Sequence, residues 1–217
     1  MKEKTNAIVV FKIGQREHMC SFLKEGLLYM NCVDYFRQSS NCDQGDIFEG
    51  ADIVNKGNVV SYRSTIMHEK IFCLWHLNDR DSPIVDKCKP RGNGEWELTI
   101  ETNKFKGFTH ANLNDSAIVV IQNIKEFHTR LRNELNKHFA GRYKSDAVTY
   151  YNVDTADFLH VNVFMKPDIY EEQCELRYLV FDDENNSGKP LKIRIGDISD
   201  IASLFPMSHI CIVAEEK

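Results

Sequence analysis

Hydrophobic residues along this chain recur more often at the spacing of β-strands than at the spacing of α-helices. Short apolar runs and alternating runs bounded by Gly, Asn, Asp or Ser are typical of strands. Such runs predict strands at residues 7–13, 27–31, 71–77, 96–102, 117–124, 147–153, 158–165, 175–181, 191–195 and 209–215. The run at 191–195 is expected to be the last strand but one.

Two stretches have helical spacing instead. The first predicted helix runs from Gln15 to Gly26, and Gly26 is its C-terminal stop. The second runs from Lys125 to Phe139 with one apolar face. Polar or Gly- and Pro-rich segments predict a turn or short helix at 34–36, a hairpin turn at 56–58, and loops at 38–50 and 79–94. We therefore predict an α+β fold with mixed, mainly antiparallel sheets and a few helices, as one domain over residues 1–217.

The composition, net charge and cysteine pattern limit the classes of protein to which this chain can belong. The chain has 217 residues, 42% of them hydrophobic, which is enough for a sizeable core. A formal net charge of −5 argues against a protein that coats nucleic acid non-specifically. Neither a secretory signal nor a membrane-spanning run is expected, and the seven scattered cysteines favour a reducing, cytoplasmic location.

The stretch 166–181, KPDIYEEQCELRYLVF, concentrates the candidate chemistry. Side chains alternate between the two faces of a strand. One face is therefore predicted to carry Gln173, Glu175 and Arg177, and the opposite face carries Leu176 and its alternate neighbours. A carboxylate in an otherwise apolar strand needs a partner, because burying it alone is costly. Glu175 is therefore interpreted either as half of a structural ion pair with Arg177 or as a carboxylate held rigidly for chemistry.

Four further charged positions are candidates, three around a predicted loop and one within a predicted strand. Arg37, Asp46 and Glu49 surround the predicted loop at 38–50, which is interpreted either as an exposed, ordinarily capped loop or as a cover over a pocket. Lys12 interrupts the first apolar strand and is either an edge lysine or a pocket lysine. The eight histidines have no spacing typical of metal ligands, so no metal is expected.

Taken in order, VFKIGQ, KEGLLYMN, DYFRQ and KPDIYEEQCELRYLV resemble the ADP-ribosyltransferase-like proteins of bacterial toxin and phage-defence systems. That group includes DarT-type nucleic-acid modifiers and the messenger-RNA-modifying toxin of toxin–antitoxin–chaperone systems. The late Gln-x-Glu, here Gln173 and Glu175, is the most specific part of the resemblance. Lys12 or Gln15 stands where well-known members have a first-strand His or Arg.

The resemblance implies an enzyme that uses NAD as co-substrate and needs no metal. Glu175 would be the catalytic carboxylate and Gln173 would orient the acceptor. The expected NAD-binding residues are Lys12, Tyr29, Tyr35, Phe36 and Arg37. The expected substrate-binding residues are Asp46, Glu49 and Arg177. The resemblance also implies a nucleic-acid target and an antitoxin protein as partners. No membrane partner is expected, because no apolar run is long enough to span a bilayer.

Two other functions stay open on the residues alone. The first is a non-catalytic binding or regulatory module in which Glu175 and Arg177 form a structural pair. The second is a magnesium-dependent nuclease, for which Asp43, Asp46 and Glu49 are the nearest set of carboxylates.

Overall fold

The computed structural model describes residues 9–39, 45–77, 85–92, 95–100, 115–182, 188–207 and 210–215. The strands are β1 Val9–Gln15, β2 Leu27–Cys32, β3 Ala51–Asn55, β4 Asn58–Tyr62, β5 Lys70–Leu77, β6 Val85–Gly92, β7 Glu95–Ile100, β8 Ser116–Ile121, β9 Tyr143–Ala147, β10 Thr149–Tyr151, β11 Leu159–His160, β12 Met165–Pro167, β13 Glu175–Val180, β14 Leu191–Arg194, β15 Ala202–Pro206 and β16 Ile210–Glu215. The α-helices are α1 Arg16–Glu25, α2 Val33–Gln38 and α3 Ile124–Phe139. Short 3₁₀ helices occupy Ser64–Ile66 and Asp168–Gln173.

An antiparallel sheet of eight strands forms the centre of the described chain. Its main path runs β14-β2-β5-β1-β8-β15, while β13 pairs with β5 and with β9. Both β1 and β2 run antiparallel to β5, so they are parallel to each other and α1 connects them. Smaller sheets are β11-β3-β4, β10-β12 and β16-β7-β6. The predicted α+β class with mainly antiparallel strands is confirmed.

One face of the central sheet is covered by α1 and α3. The buried residues of α1 are Met19, Phe22 and Leu23, and those of α3 are Phe127, Leu131 and Leu135. These residues pack with Leu176, Tyr178 and Val180 of β13 in the largest hydrophobic cluster. The two predicted helices are therefore confirmed, because their apolar stripes match the face that they bury. Among the described residues, no helix is long and apolar enough to cross a membrane.

The opposite face of β13 is covered by α2 and by segments between the strands. Leu179 packs there with Val33, Ile71 and Val163. The β3–β4 hairpin forms a separate cluster around Val54, with residues 153–161 against it. The predicted turn at 56–58 lies at this hairpin, where Lys56 and Gly57 have positive φ. Functional groups at Glu175 and Arg177 share this face with Leu179, since side chains alternate along a strand.

Several predicted boundaries are wrong. The loop at 79–94 contains β6, which pairs with β7 through residues 85–92. Among the described strands, β6 has no other neighbour, and Pro is tolerated on such an edge, as at Pro90. The strand predicted at 158–165 pairs only at Leu159–His160 and Met165, because the Asn162 side chain accepts the Phe164 N–H and turns the chain.

The C-terminal order also differs from the prediction. Along the chain, β15 comes after β14 and before β16, so the run at 191–195 is the last strand but two. Gln173 ends the 3₁₀ helix and does not lie on β13, since Cys174 turns the chain with φ of 42° and the strand begins at Glu175. Residues 1–8, 40–44, 101–114 and the other gaps lie outside the described part of the chain, as does the candidate Asp43.

Candidate functional site

A split in the central sheet opens beside β5. β1 pairs with β5 at Trp75–Leu77, and β2 pairs with the same edge at Lys70 and Ile71. No described strand pairs with this edge at Phe72–Leu74. The Lys12 ammonium instead donates to the Cys73 carbonyl at 2.6 Å. The divergence of β1 from β2 therefore leaves a cleft whose floor is the main chain of β5.

A cavity of about 650 Å³ occupies this cleft. The volume is within the range of ordinary small-molecule sites. Its walls combine charged groups with aromatic rings from β5 and β2, including Phe72, Trp75 and Tyr29. Tyr29 and Tyr35 are about half exposed, so their rings are accessible from solvent. The arrangement suits a ligand that carries both flat rings and polar groups.

Glu175 lies at the start of β13 and lines the cavity. Its Oε1 accepts from Lys166 at 2.8 Å, and its Oε2 accepts from Arg177 Nε at 2.6 Å. Its own N–H donates to the Tyr150 hydroxyl at 3.0 Å. Contacts on both oxygens and on the backbone fix the carboxylate in one orientation.

Arg177 joins Glu175 to a second carboxylate. Its two terminal nitrogens each donate to one Glu49 oxygen at 2.8 Å, and Nη1 also donates to the Val163 carbonyl. A bidentate pair of this kind is the strongest common ion-pair geometry. Because Arg177 and Glu49 are both buried, this pair ties β13 to the turn that precedes β3.

Lys166, on β12, is the second cation of the cluster. Its ammonium donates to Gln173 Oε1 at 2.7 Å as well as to Glu175, and lies 4.9 Å from the centre of the Tyr170 ring. It also lies 3.6 Å from Asp46 Oδ2. That separation allows electrostatic attraction but is too long for a hydrogen bond.

Asp46 is held by its own turn. Its Oδ1 accepts the Phe48 N–H at 2.9 Å and so caps the turn, but Asp46 and Glu49 are buried and do not lie on an exposed loop. Its Oδ2 is buried, and no described residue donates a hydrogen bond to it. A buried carboxylate oxygen without a donor is uncommon and calls for an explanation.

The pKa values of the cluster diverge. Burial alone would raise the pKa of Glu175, but the adjacent Arg177 and Lys166 cations outweigh burial and hold this pKa well below its usual range. Burial, with repulsion from Glu49, raises the pKa of Asp46 to about 6 despite the attraction of Lys166. Burial lowers the pKa of Lys12. Glu175 is therefore an ionised acceptor at neutral pH, and Asp46 is the carboxyl group that titrates closest to neutrality.

The structure brings together most of the residues that the sequence singled out. Those lining the cavity are Lys12, Gln15, Tyr29, Tyr35, Phe36, Glu49, Gln173, Glu175 and Arg177. Asp46 lies behind them, next to Lys166. Arg37 is not among the lining residues: it pairs with Asp34 at 2.5 Å and stacks 5.1 Å from the centre of the Tyr62 ring. The predicted contact of Arg37 with NAD therefore has no support from its position.

Sequence reasoning missed Lys166 and Tyr150, which hold Glu175 most directly. A Lys before Pro is expected to be extended and is common in surface turns, so Lys166 carried no sign of burial. Tyr150 lies 25 positions from Glu175, beyond the reach of any local pattern. The mixture of Lys, Pro and acidic residues before a strand was the only available signal.

Metal binding has no visible site in the described chain. Among its residues, no group of three or more His, Cys, Asp or Glu side chains is arranged to hold a metal ion. Asp46 and Glu49, two of the three carboxylates considered for a nuclease, are instead next to Lys166 and Arg177.

Comparisons with protein-family models, with curated proteins and with solved structures find no match to this chain. The geometry of the cleft is therefore the main basis on which its chemistry can be judged.

Proposed function

We propose that the chain is an NAD-consuming ADP-ribosyltransferase whose co-substrate enters the cleft between β1 and β2. One observation carries this proposal. Glu175 is an ionised carboxylate, fixed by Lys166, Arg177 and Tyr150, in the wall of a ring-lined cavity of about 650 Å³. The order of sequence segments that resembles ADP-ribosyltransferase-like proteins supports the same reaction class.

The chemistry requires a fixed negative charge. When the bond between nicotinamide and ribose C1′ breaks, its electron pair leaves with nicotinamide and positive charge builds on the ribose. A pre-positioned carboxylate stabilises this oxocarbenium-like state, as in glycoside hydrolysis. An acceptor nucleophile, or water, then attacks C1′ and loses a proton. Glu175 supplies the charge, and Tyr29, Tyr35 and Phe36 supply surfaces on which NAD rings can stack.

The acceptor is proposed to be nucleic acid, on the strength of the resemblance alone. A nucleic-acid acceptor would need a basic surface, and the chain has a group of basic residues on and just after α3, none of which lines the cavity. Within this group, Arg130 pairs with Glu126 and Asp200, and Lys137 pairs with Glu134. A role in phage defence and an antitoxin partner rest on the same resemblance.

The direct experiment measures nicotinamide release from labelled NAD. The Glu175→Gln variant removes the charge but keeps the shape, so release should fall by about 100-fold or more. Glu171→Gln makes the same chemical change in an exposed neighbour and should keep wild-type turnover. Folded Glu175→Gln protein with full turnover would remove Glu175 from the mechanism.

A non-catalytic binding module is the second candidate, and one observation favours it. Both Glu175 oxygens already accept hydrogen bonds, so in this arrangement Glu175 is satisfied by its two ion pairs. This candidate predicts neither nicotinamide release nor an NAD-dependent shift of the melting temperature. NAD binding without turnover would favour a binding module that uses the same cleft.

A further inference from the structure

We infer that Lys166 is a positioning residue whose ammonium group exchanges between Glu175 and Asp46, and that this exchange frees Glu175 Oε1 to accept a hydrogen bond from a substrate hydroxyl. Only the identity of the substrate rests on the proposed function. The exchange itself depends on the buried residues alone.

The positions of the two carboxylates carry the inference. Lys166 Nζ lies 2.8 Å from Glu175 Oε1 and 3.6 Å from Asp46 Oδ2. To reach Asp46 Oδ2 at the 2.8 Å that it makes with Glu175, Lys166 Nζ must move closer by only about 0.8 Å. Asp46 Oδ2 is buried and has no donor at normal hydrogen-bond geometry among the described residues, although the Tyr170 hydroxyl interacts with the same carboxylate. The ammonium group therefore has a second anionic acceptor within reach.

The exchange resolves a conflict in the site. With Lys166 and Arg177 both bonded to Glu175, the oxygen facing Lys166 has its preferred direction occupied. A substrate hydroxyl that takes this direction on Oε1 displaces the ammonium, which would keep only the neutral Gln173 oxygen as an acceptor. A buried cation without an anionic partner is costly. Asp46 provides that acceptor, while Arg177 keeps its bond to Oε2 and holds the carboxylate in place.

The exchange changes the protonation of Asp46 and therefore depends on pH. Asp46 is faced by groups from every element packed against it, namely Lys166 on β12, Arg177 on β13, Glu49 on its own turn, Tyr170 on the 3₁₀ helix and Tyr151 on β10. Without substrate, burial raises the pKa of Asp46 to about 6. An ammonium within hydrogen-bond distance favours the ionised form, so the exchange releases a proton below this pH. Turnover should therefore rise with pH through about 6.

The first experiment needs no NAD. Carbon-13 NMR of carboxyl-labelled Asp should show Asp46 titrating near pH 6, identified by the loss of its signal in Asp46→Asn. In Glu175→Gln, Lys166 loses its competing anion and should move to Asp46, which lowers the pKa of Asp46 by about one unit or more. In Lys166→Met/Glu175→Gln this lowering should disappear. If Glu175→Gln changes the pKa of Asp46 by the same amount with Lys166 and with Lys166→Met, the exchange is overturned.

The second experiment is a double-mutant cycle on nicotinamide release. Asp46→Asn should reduce kcat by about tenfold and abolish the rise of turnover through pH 6. In a Lys166→Met background, where no ammonium needs an acceptor, the same change should cost less than about twofold. Lys166→Met/Asp46→Asn also removes both charges together, so the comparison stays interpretable if Lys166→Met alone is unstable. Equal losses in both backgrounds would contradict the inference.

The two proposals fail separately. If the wild-type protein releases no nicotinamide but Glu175→Gln lowers the pKa of Asp46 only when Lys166 is present, the transferase proposal is wrong and the exchange stands. If nicotinamide is released but Glu175→Gln changes the pKa of Asp46 equally with and without Lys166, the exchange is wrong and the transferase proposal stands. Glu134→Gln, a change on α3 at a residue that does not line the cavity, is the control that should alter neither measurement.

Discussion

Arg177 makes four hydrogen bonds within the buried polar cluster. Its guanidinium contacts Glu175, both oxygens of Glu49 and the carbonyl of Val163. Removing one partner from such a network leaves a buried charge without compensation, which costs more than the pair itself contributes. The same contacts that position Glu175 are therefore also needed for stability.

Glu49→Ala tests this dependence. It leaves the two terminal nitrogens of Arg177 facing a void, so we expect the free energy of unfolding to fall by about 3–5 kcal/mol. Denaturant unfolding followed by circular dichroism measures the change. Glu171→Ala, at an exposed position, should stay within about 0.5 kcal/mol of wild type. A loss below about 1 kcal/mol in Glu49→Ala would show that Arg177 is satisfied without Glu49.

Local pattern predicted only part of this cluster. Period-two alternation correctly placed Glu175 and Arg177 on one face of β13, because alternation is a property of neighbouring residues. Glu49 lies 128 positions from Arg177, and nothing near either residue indicates that they meet. Lys166 is only nine positions from Glu175, yet its approach depends on the turn at Cys174, where positive φ separates Gln173 from β13.

At the scale of elements, α1 and the turns at its ends set the spacing of the cleft. The helix connects β1 to β2 across the split, and its C-terminal Gly26 adopts φ of 57° before β2 begins. Amphipathic helices with a glycine stop are strong sequence signals, which is why α1 and α3 were predicted almost to the residue. β6 and β15 were missed because each contains a Pro, at Pro90 and Pro206, that argues against a strand away from an edge.

Gly26→Ala should disturb this element. A Cβ at this position would lie 2.4 Å from the Gly196 carbonyl oxygen, in addition to the cost of a left-handed conformation. We expect a loss of more than about 2 kcal/mol in unfolding free energy. Gly141→Ala is the matched control, since Gly141 has φ of 73° but nothing within 4 Å of the added Cβ. That variant should lose only about 1–2 kcal/mol, the backbone cost.

At the scale of the whole molecule, the buried charges shape the dependence of stability on pH. The folded state keeps the proton of Asp46 up to about pH 6, whereas an unfolded chain releases it near 3.8. Between those values the folded state binds more protons, so stability falls as pH rises through this window. At about 1.4 kcal/mol per pH unit, the effect approaches about 3 kcal/mol. Glu175, with its lowered pKa, acts in the opposite direction and loses its contribution as pH falls below about 4.5.

Asp46→Asn isolates the first of these effects. Because asparagine does not titrate, the variant should gain stability relative to wild type as pH rises from about 4 to 7, by up to about 3 kcal/mol. Glu175 is present in both proteins, so its own titration cancels in the difference. Denaturation midpoints at several pH values measure the trend. A constant difference across this range would show that Asp46 titrates normally in the folded protein.

At Phe72–Leu74, the edge of β5 that faces the cleft presents main-chain N–H and C=O groups. These groups are present whatever side chains the strand carries. Substitution at Cys73 changes a thiol but leaves the carbonyl that Lys12 contacts at 2.6 Å. Genetic drift can therefore replace many residues around the cleft and still preserve the hydrogen-bonding edge at its floor. Proteins that share this edge can diverge until little residue identity is left between them.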